Sequence, residues 1–407
     1  MAKILISSLG TGSKKHGDYQ KVKYKIDGSV YNTSFIADAL TQHLGIDKLF
    51  LVGTNKSIWD GAYEAFGGKD ENYQMELIEK KDSGNISETL LDTFNKQVSK
   101  QLGLSGSRAS LIDYGINDDE LWGIFERYLE ISESIEDGDE LYLDITHSFR
   151  SLAMMSLVMT QFASSISGKN FRLRGVYYGM LEYLNETEEK IAPIVNLSIL
   201  FELQEWIKAI DAIKKYSDFD PLIEILDKEG IESNAHNAFV QLNNAIDMGN
   251  MASIYSFVKT ASKKIRAISE SKNKVIKLLA EEVIALVDEL DKEKMSDFQY
   301  ALAQWFYKNK NYAMSYMALA EAIITKACEI KAYDVKSKEG RAAGKDYMKI
   351  TKYDNYFSPK YPNGISQIRN NIAHQLDNRG SNVSEDIKRL GTFIETFKPF
   401  FLEKNKE

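Results

Sequence analysis

Residues 139–163 read DELYLDITHSFRSLAMMSLVMTQFA, and the fold turns on them. Positions 140–145 cluster apolar residues as a buried strand does, and the run after Arg150 is rich in the helix formers Leu, Met and Ala. The local pattern is strand, short polar loop, helix. In an open parallel sheet such a loop lies at the carboxyl end of its strand, where the first free N–H groups of a helix can hold an anion. Asp144, Thr146, His147, Ser148 and Arg150 are the groups it would bring there. The spacing leaves a plainer reading equally open, in which Asp144 and Thr146 cap the helix and Arg150 is solvated.

Outward from this centre, the rest of the first half alternates strands and helices. Positions 3–8 (KILISS) form a first strand running into Leu9, Gly10, Thr11, Gly12 and Ser13, small residues that let backbone N–H groups approach phosphate oxygens. The signal is weak, because the run lacks the full G-x-G-x-x-G fingerprint and no Walker lysine follows. Positions 19–30 alternate with a period of two around Asp27-Gly28, which predicts a hairpin or ribbon. A helix is predicted over 33–44 with Thr33 or Ser34 as cap, and a strand over 47–54 that would carry Thr54 and Asn55 to the same sheet end as Gly10. A third strand is expected at 75–79, a helix at 88–101, an edge strand at 109–114, a helix at 120–135 and a strand at 171–178. The first half therefore reads as a doubly wound α/β domain.

The run DITHSFR (144–150) resembles the D-x-T-H-G signature of CRISPR-associated proteins that carry a CARF domain, a Rossmann-like sensor of cyclic oligoadenylates. Ser148 stands where the signature has glycine, a residue able to reach backbone conformations that serine avoids. Leu121-Trp122, Val176-Tyr177-Tyr178-Gly179 and positions 193–197 extend the likeness over the whole first half. The resemblance implies a sensor domain over 1–197. It also implies that Gly10, Thr11, Gly12, Ser13, Thr54, Asn55, Asp144, Thr146, His147, Ser148 and Arg150 hold a cyclic oligoadenylate, by similarity the cyclic tetra-adenylate.

From 198 onward nearly everything has a 3.6-residue apolar period. Helices are predicted over 200–216, 231–245, 251–268, 272–290, 297–307 and 311–330, the last central because its apolar and alanine positions leave little polar surface. Positions 331–360 differ: eight Lys or Arg stand against four acids, with Tyr347, Tyr353, Tyr356, Phe357 and Tyr361 interleaved or adjacent. Such a segment can hold single-stranded RNA by phosphate contacts and stacking, or can be a solvated connection with packed tyrosines.

The helix predicted over 363–376 (NGISQIRNNIAHQL), with Asn363 as its cap, places Ile365, Ile368, Ile372 and Leu376 in one arc at ~100° per residue. Asn370 and His374 fall on the opposite side and Arg369 at the border. The arrangement Arg369-Asn370-x-x-x-His374 resembles the R-N-x-x-x-H motif of HEPN ribonucleases. A CARF-like first half followed by this motif resembles the CARF–HEPN effectors of type III CRISPR antiviral defence. The resemblance implies an α/β Rossmann-like domain followed by an all-α HEPN region, divided as 1–197, a helical connection 198–295 and a ribonuclease domain 296–407. It further implies catalysis by Arg369, Asn370 and His374 on single-stranded RNA, without a metal, in a homodimer or a higher assembly. Two rivals share these residues: a ring nuclease acting through Thr146 and His147, and a sensor whose helical half is a scaffold.

Bulk composition agrees with a globular protein. The chain has 407 residues, 43% of them apolar and 27% charged, enough for two cores. The single cysteine, Cys328, excludes an internal disulfide and any multi-cysteine zinc site. His16, His43 and His236 have no neighbours at ligand spacing, so no metal or other cofactor is expected. The opening MAKILISSLGTG has no signal-peptide pattern, and no apolar run reaches the ~20 residues that span a bilayer, so a cytoplasmic protein is expected. A net charge of −8 means that any RNA contact is local.

Overall fold

The computed structural model describes residues 1–12, 14–15, 18–102, 106–148, 150–166, 169, 171–186, 188–228, 234–268, 274–374 and 382–402. The chain divides into two compact units, Met1–Leu200 and Phe201–Glu407.

The first unit is a mixed eight-stranded sheet flanked by helices, a Rossmann-like fold. In chain order its elements are β1 (Lys3–Leu9), β2 (Val22–Ile26), β3 (Ser29–Thr33), α1 (Ile36–Leu44), β4 (Lys48–Gly53), α2 (Trp59–Ala65), α3 (Glu71–Ser83), α4 (Glu88–Leu102), β5 (Arg108–Leu111), α5 (Asp118–Glu133), β6 (Glu140–Asp144), α6 (Arg150–Ile166), β7 (Arg172–Gly179) and β8 (Ile191–Asn196). The strand order is β3-β2-β8-β7-β6-β1-β4-β5, with β7, β6, β1, β4 and β5 mutually parallel and β8 antiparallel to β7. After the β2–β3 hairpin at the far edge, the chain winds outward from β1 through β4 and β5, then returns to lay β6 on the other side of β1. The reversal leaves a crevice at the carboxyl ends of β1 and β6.

The two sheet faces take alternate residues. Leu5 of β1 and Leu49 and Leu51 of β4 join α1, α2 and α4 in one buried cluster, while Ile6 and Leu141 face Tyr128 of α5 and Met159 of α6. Asp27 and Gly28 both take positive φ (46° and 84°), so the β2–β3 turn is the hairpin type that Asp-Gly favours. Three expectations need correction here. Residues 75–79 are not a strand: Asp70 caps α3 by accepting from the N–H groups of Asn72 and Tyr73, and Tyr73 and Leu77, one helical turn apart, face the core while Met75 is exposed. Helix α1 begins only at Ile36, because Thr33 still belongs to β3 and its hydroxyl accepts from the N–H of Phe35. The edge strand stops at Leu111, short of 114.

The second unit is helical throughout the described residues: α7 (Ile199–Tyr216), which starts just before the division, α8 (Asp220–Lys228), α9 (Asn234–Asp247), α10 (Met251–Ile268), α11 (Lys274–Leu290), α12 (Met295–Lys308), α13 (Tyr312–Lys331), α14 (Lys338–Met348), α15 (Asp354–Phe357), α16 (Ile365–His374) and α17 (Val383–Leu402). Helix α13 is buried nearly all round and packs against α12, α14, α16 and α17, as its alanine-rich sequence predicts. Its Lys326 is buried, and its ammonium donates to the carbonyl of Phe401 at 3.3 Å, at the C-terminal end of the α17 dipole. The stretch 331–360, read as a basic connection, contains a real helix, α14, because Ser337 caps it by accepting from the N–H of Gly340. Three further helices escape the sequence reading: the short α15, α8 with Pro221 in its first turn and α17 with Pro399 inside it.

Helix α14 can lie close to α13 only because residue 344 is glycine. A Cβ there would stand 2.6 Å from the Cys328 sulfur and 3.3 Å from the Ile324 carbonyl oxygen. Gly344→Ala is therefore expected to destabilise the protein by about 1–3 kcal/mol despite the better helix propensity of alanine, read as a lower denaturation midpoint.

Candidate functional site

The crevice between β1 and β6 is built on a buried carboxylate. The strand register sets Ser7 opposite Asp144. The Ser7 hydroxyl donates to one Asp144 oxygen at 2.5 Å, and the backbone N–H of Thr146 donates to the other at 2.9 Å. Burial pushes the Asp144 carboxyl up, opposed by the nearby His147 and by the Ser7 and Thr146 hydrogen bonds. The Thr146 hydroxyl accepts from the N–H of Gly179 at 2.8 Å, tying the loop to β7. The Ser148 hydroxyl donates to that of Ser8 at 2.6 Å, tying it to β1. Ser148 does not take a positive φ, so serine fits where the CARF signature has glycine, and its hydroxyl braces the loop.

Opposite this loop runs the exit of β1. Gly10 faces His147 so closely that a Cβ on it would stand 3.0 Å from the His147 Cβ. The Gly10 carbonyl accepts from the N–H of Ile58, and the Leu9 carbonyl accepts from the Ser57 hydroxyl at 2.6 Å. Gly12 is left-handed (φ 68°), and a Cβ there would strike Ile58 at 2.7 Å. Thr11 and Gly12 are exposed, while Thr146, His147 and Ser148 are half-buried. The sequence-predicted residues Gly10, Thr11, Gly12, Thr146, His147 and Ser148 thus come from loops that meet.

Others take different positions. Thr54 is buried, its N–H donating to Ser57 and its carbonyl accepting from the Trp59 indole, so it holds the turn after β4. Asp144 lies beneath the loop. Asn55 is half-buried, and its side-chain oxygen is buried without a hydrogen-bond partner among the described residues, an acceptor with an unmet need. The backbone of Arg150 opens α6, its side chain is outside the described set, and Ser13 and His16 lie outside the described residues.

A clamp that the sequence analysis does not name braces the β1 loop. The Tyr19 hydroxyl donates to Asp60 at 2.7 and 2.9 Å, and the Lys81 ammonium donates to Asp60 at 2.9 Å and to the Tyr19 oxygen at 3.1 Å. The Tyr19 ring lies where a Cβ of Gly61 would be, within 2.4 Å. Burial and the Asp60 carboxylate push the Tyr19 hydroxyl far above its ordinary pKa, so it stays a donor. These residues come from three separate elements with no shared motif, and so the sequence carried no signal for them.

In the helical unit, Ile365 and Ile368 anchor α16 in the core while Asn370 and Arg369 are half-buried and His374 is exposed. The polar face predicted for this helix is present. Asn363 is not its cap: Gly364 accepts the Ile368 N–H, and the Asn363 oxygen accepts from Arg389 at 3.2 Å. Leu376 lies outside the described residues. Arg369 donates to the Asn370 oxygen at 3.2 Å and faces Glu321 of α13 at 3.6 Å, and Glu321 also pairs closely with Arg341 of α14. Arg369 and Asn370 line a cleft of about 280 Å³ between α13, α14 and α16; His374 is not among its lining residues. Among the described residues no group of three potential metal ligands lies together, and none of the helices is long and apolar enough to cross a membrane.

The raised pKa of Asp144 fixes the sign of a pH effect. A carboxyl that holds its proton more tightly when folded makes the fold lose stability as pH rises from the ordinary carboxylate range, near 3.9, through the folded value. Asp144→Asn keeps an acceptor for Thr146 and removes that charge. The variant is expected to melt above wild type at pH 8, with the gap closing toward pH 4 in a thermal denaturation series.

Residues 4–182 match the model for the CARF domain of the CRISPR system endoribonuclease Csx1, and residues 202–297 match the model for the second domain of CRISPR-associated protein MJ1674. The chain is 31% identical over 406 residues to CRISPR-associated protein MJ1674 of Methanocaldococcus jannaschii, an alignment covering 92% of this chain and 62% of that protein. The chain therefore spans less than two thirds of that relative's length. These likenesses assign a CARF domain to the N-terminal unit and support a CRISPR-associated CARF protein.

Proposed function

We propose that the chain is a single-stranded RNA endoribonuclease switched on by a cyclic oligoadenylate, an ancillary effector of type III CRISPR defence. The observation that carries this reading is the pairing, in one chain, of a CARF crevice with a helix that turns Arg369, Asn370 and His374 away from its own core.

The crevice suits a ring of phosphates and adenines. Exposed Thr11 and Gly12 offer backbone N–H groups to phosphate oxygens, and the Gly10–His147 contact brings the two loops together. A two-fold symmetric ring calls for two copies of the loop. Met154, Val158 and Phe162, spaced four apart on α6, are exposed, and the Phe162 ring lies 5.3 Å from that of Phe125, which in turn lies 5.4 Å from exposed Trp122. An apolar stripe of this kind, beginning one turn after the sensor loop, supports a homodimer. Ligand bound across the pair would favour one dimer state over another and so set the activity of the helical unit.

The cleavage chemistry needs no added nucleophile. The ribose 2′-oxygen bonds to phosphorus, the bond from phosphorus to the 5′-oxygen breaks, and one proton moves from the first oxygen to the second, leaving a cyclic phosphate and a 5′-hydroxyl. His374 can move that proton, Arg369 can bind two phosphate oxygens at once, and Asn370, already an acceptor for Arg369, orients it. A single histidine cannot serve both ends of the transfer at once, which favours a site composed from two copies.

Cleavage of a fluorogenic single-stranded RNA in EDTA, with and without cyclic tri-, tetra- and hexa-adenylate, tests the whole reading. Wild type is expected to cleave only with one ring. His374→Ala is expected to lose ~10²–10⁴-fold in rate with ring binding intact. Wild-type rates in His374→Ala would overturn the assignment of the helical unit. Ring binding with no RNA cleavage would favour the scaffold reading, and loss of the ring itself would favour the ring nuclease.

A further inference from the structure

The basic stretch 331–360 separates into two groups once its partners are traced. Lys331, Lys352 and Lys360 lie over the rings of Tyr347, Tyr353 and Tyr361, at 4.7, 5.1 and 4.8 Å, and Lys360 also pairs with Asp354 at 2.6 Å. Tyr353 is itself buried and stacks on Phe397. These cations and rings satisfy one another, so the stretch is not a uniform RNA-binding surface. Arg341 is committed to Glu321.

Lys345 and Lys349 are different. Lys345 lies in the last turn of α14 and Lys349 just past its end, both exposed, and both line the cleft that Arg369 and Asn370 line from α16. Lys349 pairs with Asp346 at 2.7 Å, yet the two side chains are 56% and 69% exposed, and such a pair competes weakly against a phosphate. Glu321 on the floor faces two arginines and can neutralise only one. The result is a net positive cleft in a chain whose total charge is −8. Pro359, which is exposed, and Phe357, which is buried, are apolar residues of the same lining.

We propose that this cleft is a nucleotide subsite for the RNA, and the proposal rests on the ribonuclease reading above. It takes one nucleotide next to the phosphate that Arg369 holds, with that nucleotide's own phosphate on Lys345 and Lys349 and its base or ribose against Pro359 and Phe357. A volume of about 280 Å³ lies at the lower end of ligand pockets and admits one nucleotide, not a stacked pair. A base can enter only when unstacked and unpaired, so the cleft itself selects single strands.

The test uses the full chain with its activating ring and a fluorescent RNA whose riboses are 2′-O-methylated, so that it binds without being cut. Lys345→Ala/Lys349→Ala is compared with wild type and with Lys308→Ala/Lys310→Ala, an equal charge change at exposed positions on another part of the unit. The cleft variant is expected to bind ~10-fold or more weakly, with the slope of log affinity against log salt reduced by ~1–2, while the control stays within ~2-fold of wild type. If wild type binds and cuts RNA but the cleft variant binds with wild-type affinity and salt slope, the subsite is wrong and the ribonuclease reading stands. An equal loss in the control variant would also overturn it, since a diffuse charge effect would then explain both. If wild type neither binds nor cuts RNA with any ring, the ribonuclease reading falls and takes the subsite with it.

Discussion

The hydrogen bonds around Asp144 are the constraint on which the N-terminal unit depends. A carboxylate at the end of a central strand, flanked by β1 and β7, has no access to bulk water, and its charge is tolerated only with donors fixed in place. Ser7 supplies one because the β1–β6 register puts it directly opposite, and the N–H of Thr146 supplies another because the chain turns over the carboxylate. That turn sets the direction of the next three side chains. Thr146 is aimed at Gly179, His147 at Gly10 and Ser148 at Ser8, so one buried group fixes the loop to both neighbouring strands.

The helical half is organised by α13 in a comparable way. Its small residues let four helices approach it, and its few polar side chains are each assigned a task at its surface. Lys326 meets the C-terminal end of α17, and Glu321 meets Arg341 of α14 and Arg369 of α16. The glutamate therefore holds together the two helices that frame the cleft. Close approach of α14, permitted by the absent side chain of Gly344, brings Lys345 and Lys349 within reach of the same space.

Much of this was legible in the sequence where the period of the pattern and the local chemistry agreed. The central strand, the Asp27-Gly28 turn, α10 at 251–268, α13 and the polar face of α16 all belong to that class. The failures share a physical cause. Residues 75–79 have strand-like composition, but the cap at Asp70 commits the segment to a helix in which Met75 can be exposed. Pro399 hides α17, whose burial of Phe393, Phe397, Phe400 and Phe401 outweighs one lost hydrogen bond. The Tyr19–Asp60–Lys81 clamp and the Glu321 bridge join residues from separate elements, and no spacing rule reaches them.

On the proposed reading the two sites would handle anions by different physics, and that difference fits an acidic chain with two anionic ligands to keep apart. In the described part of the crevice the donors are backbone N–H groups and hydroxyls, arranged around a buried carboxylate that itself repels anions. Groups of that kind discriminate by shape and hydrogen-bond direction. The helical cleft instead gathers Lys345, Lys349 and Arg369 around two carboxylates, and if it takes RNA as proposed it would draw on counterion release, which is strong, graded and indifferent to base sequence. A chain carrying −8 overall repels RNA from most of its surface, so on the proposed reading the locally positive cleft is where a single strand would come to rest, while the crevice would take a ligand that matches its geometry.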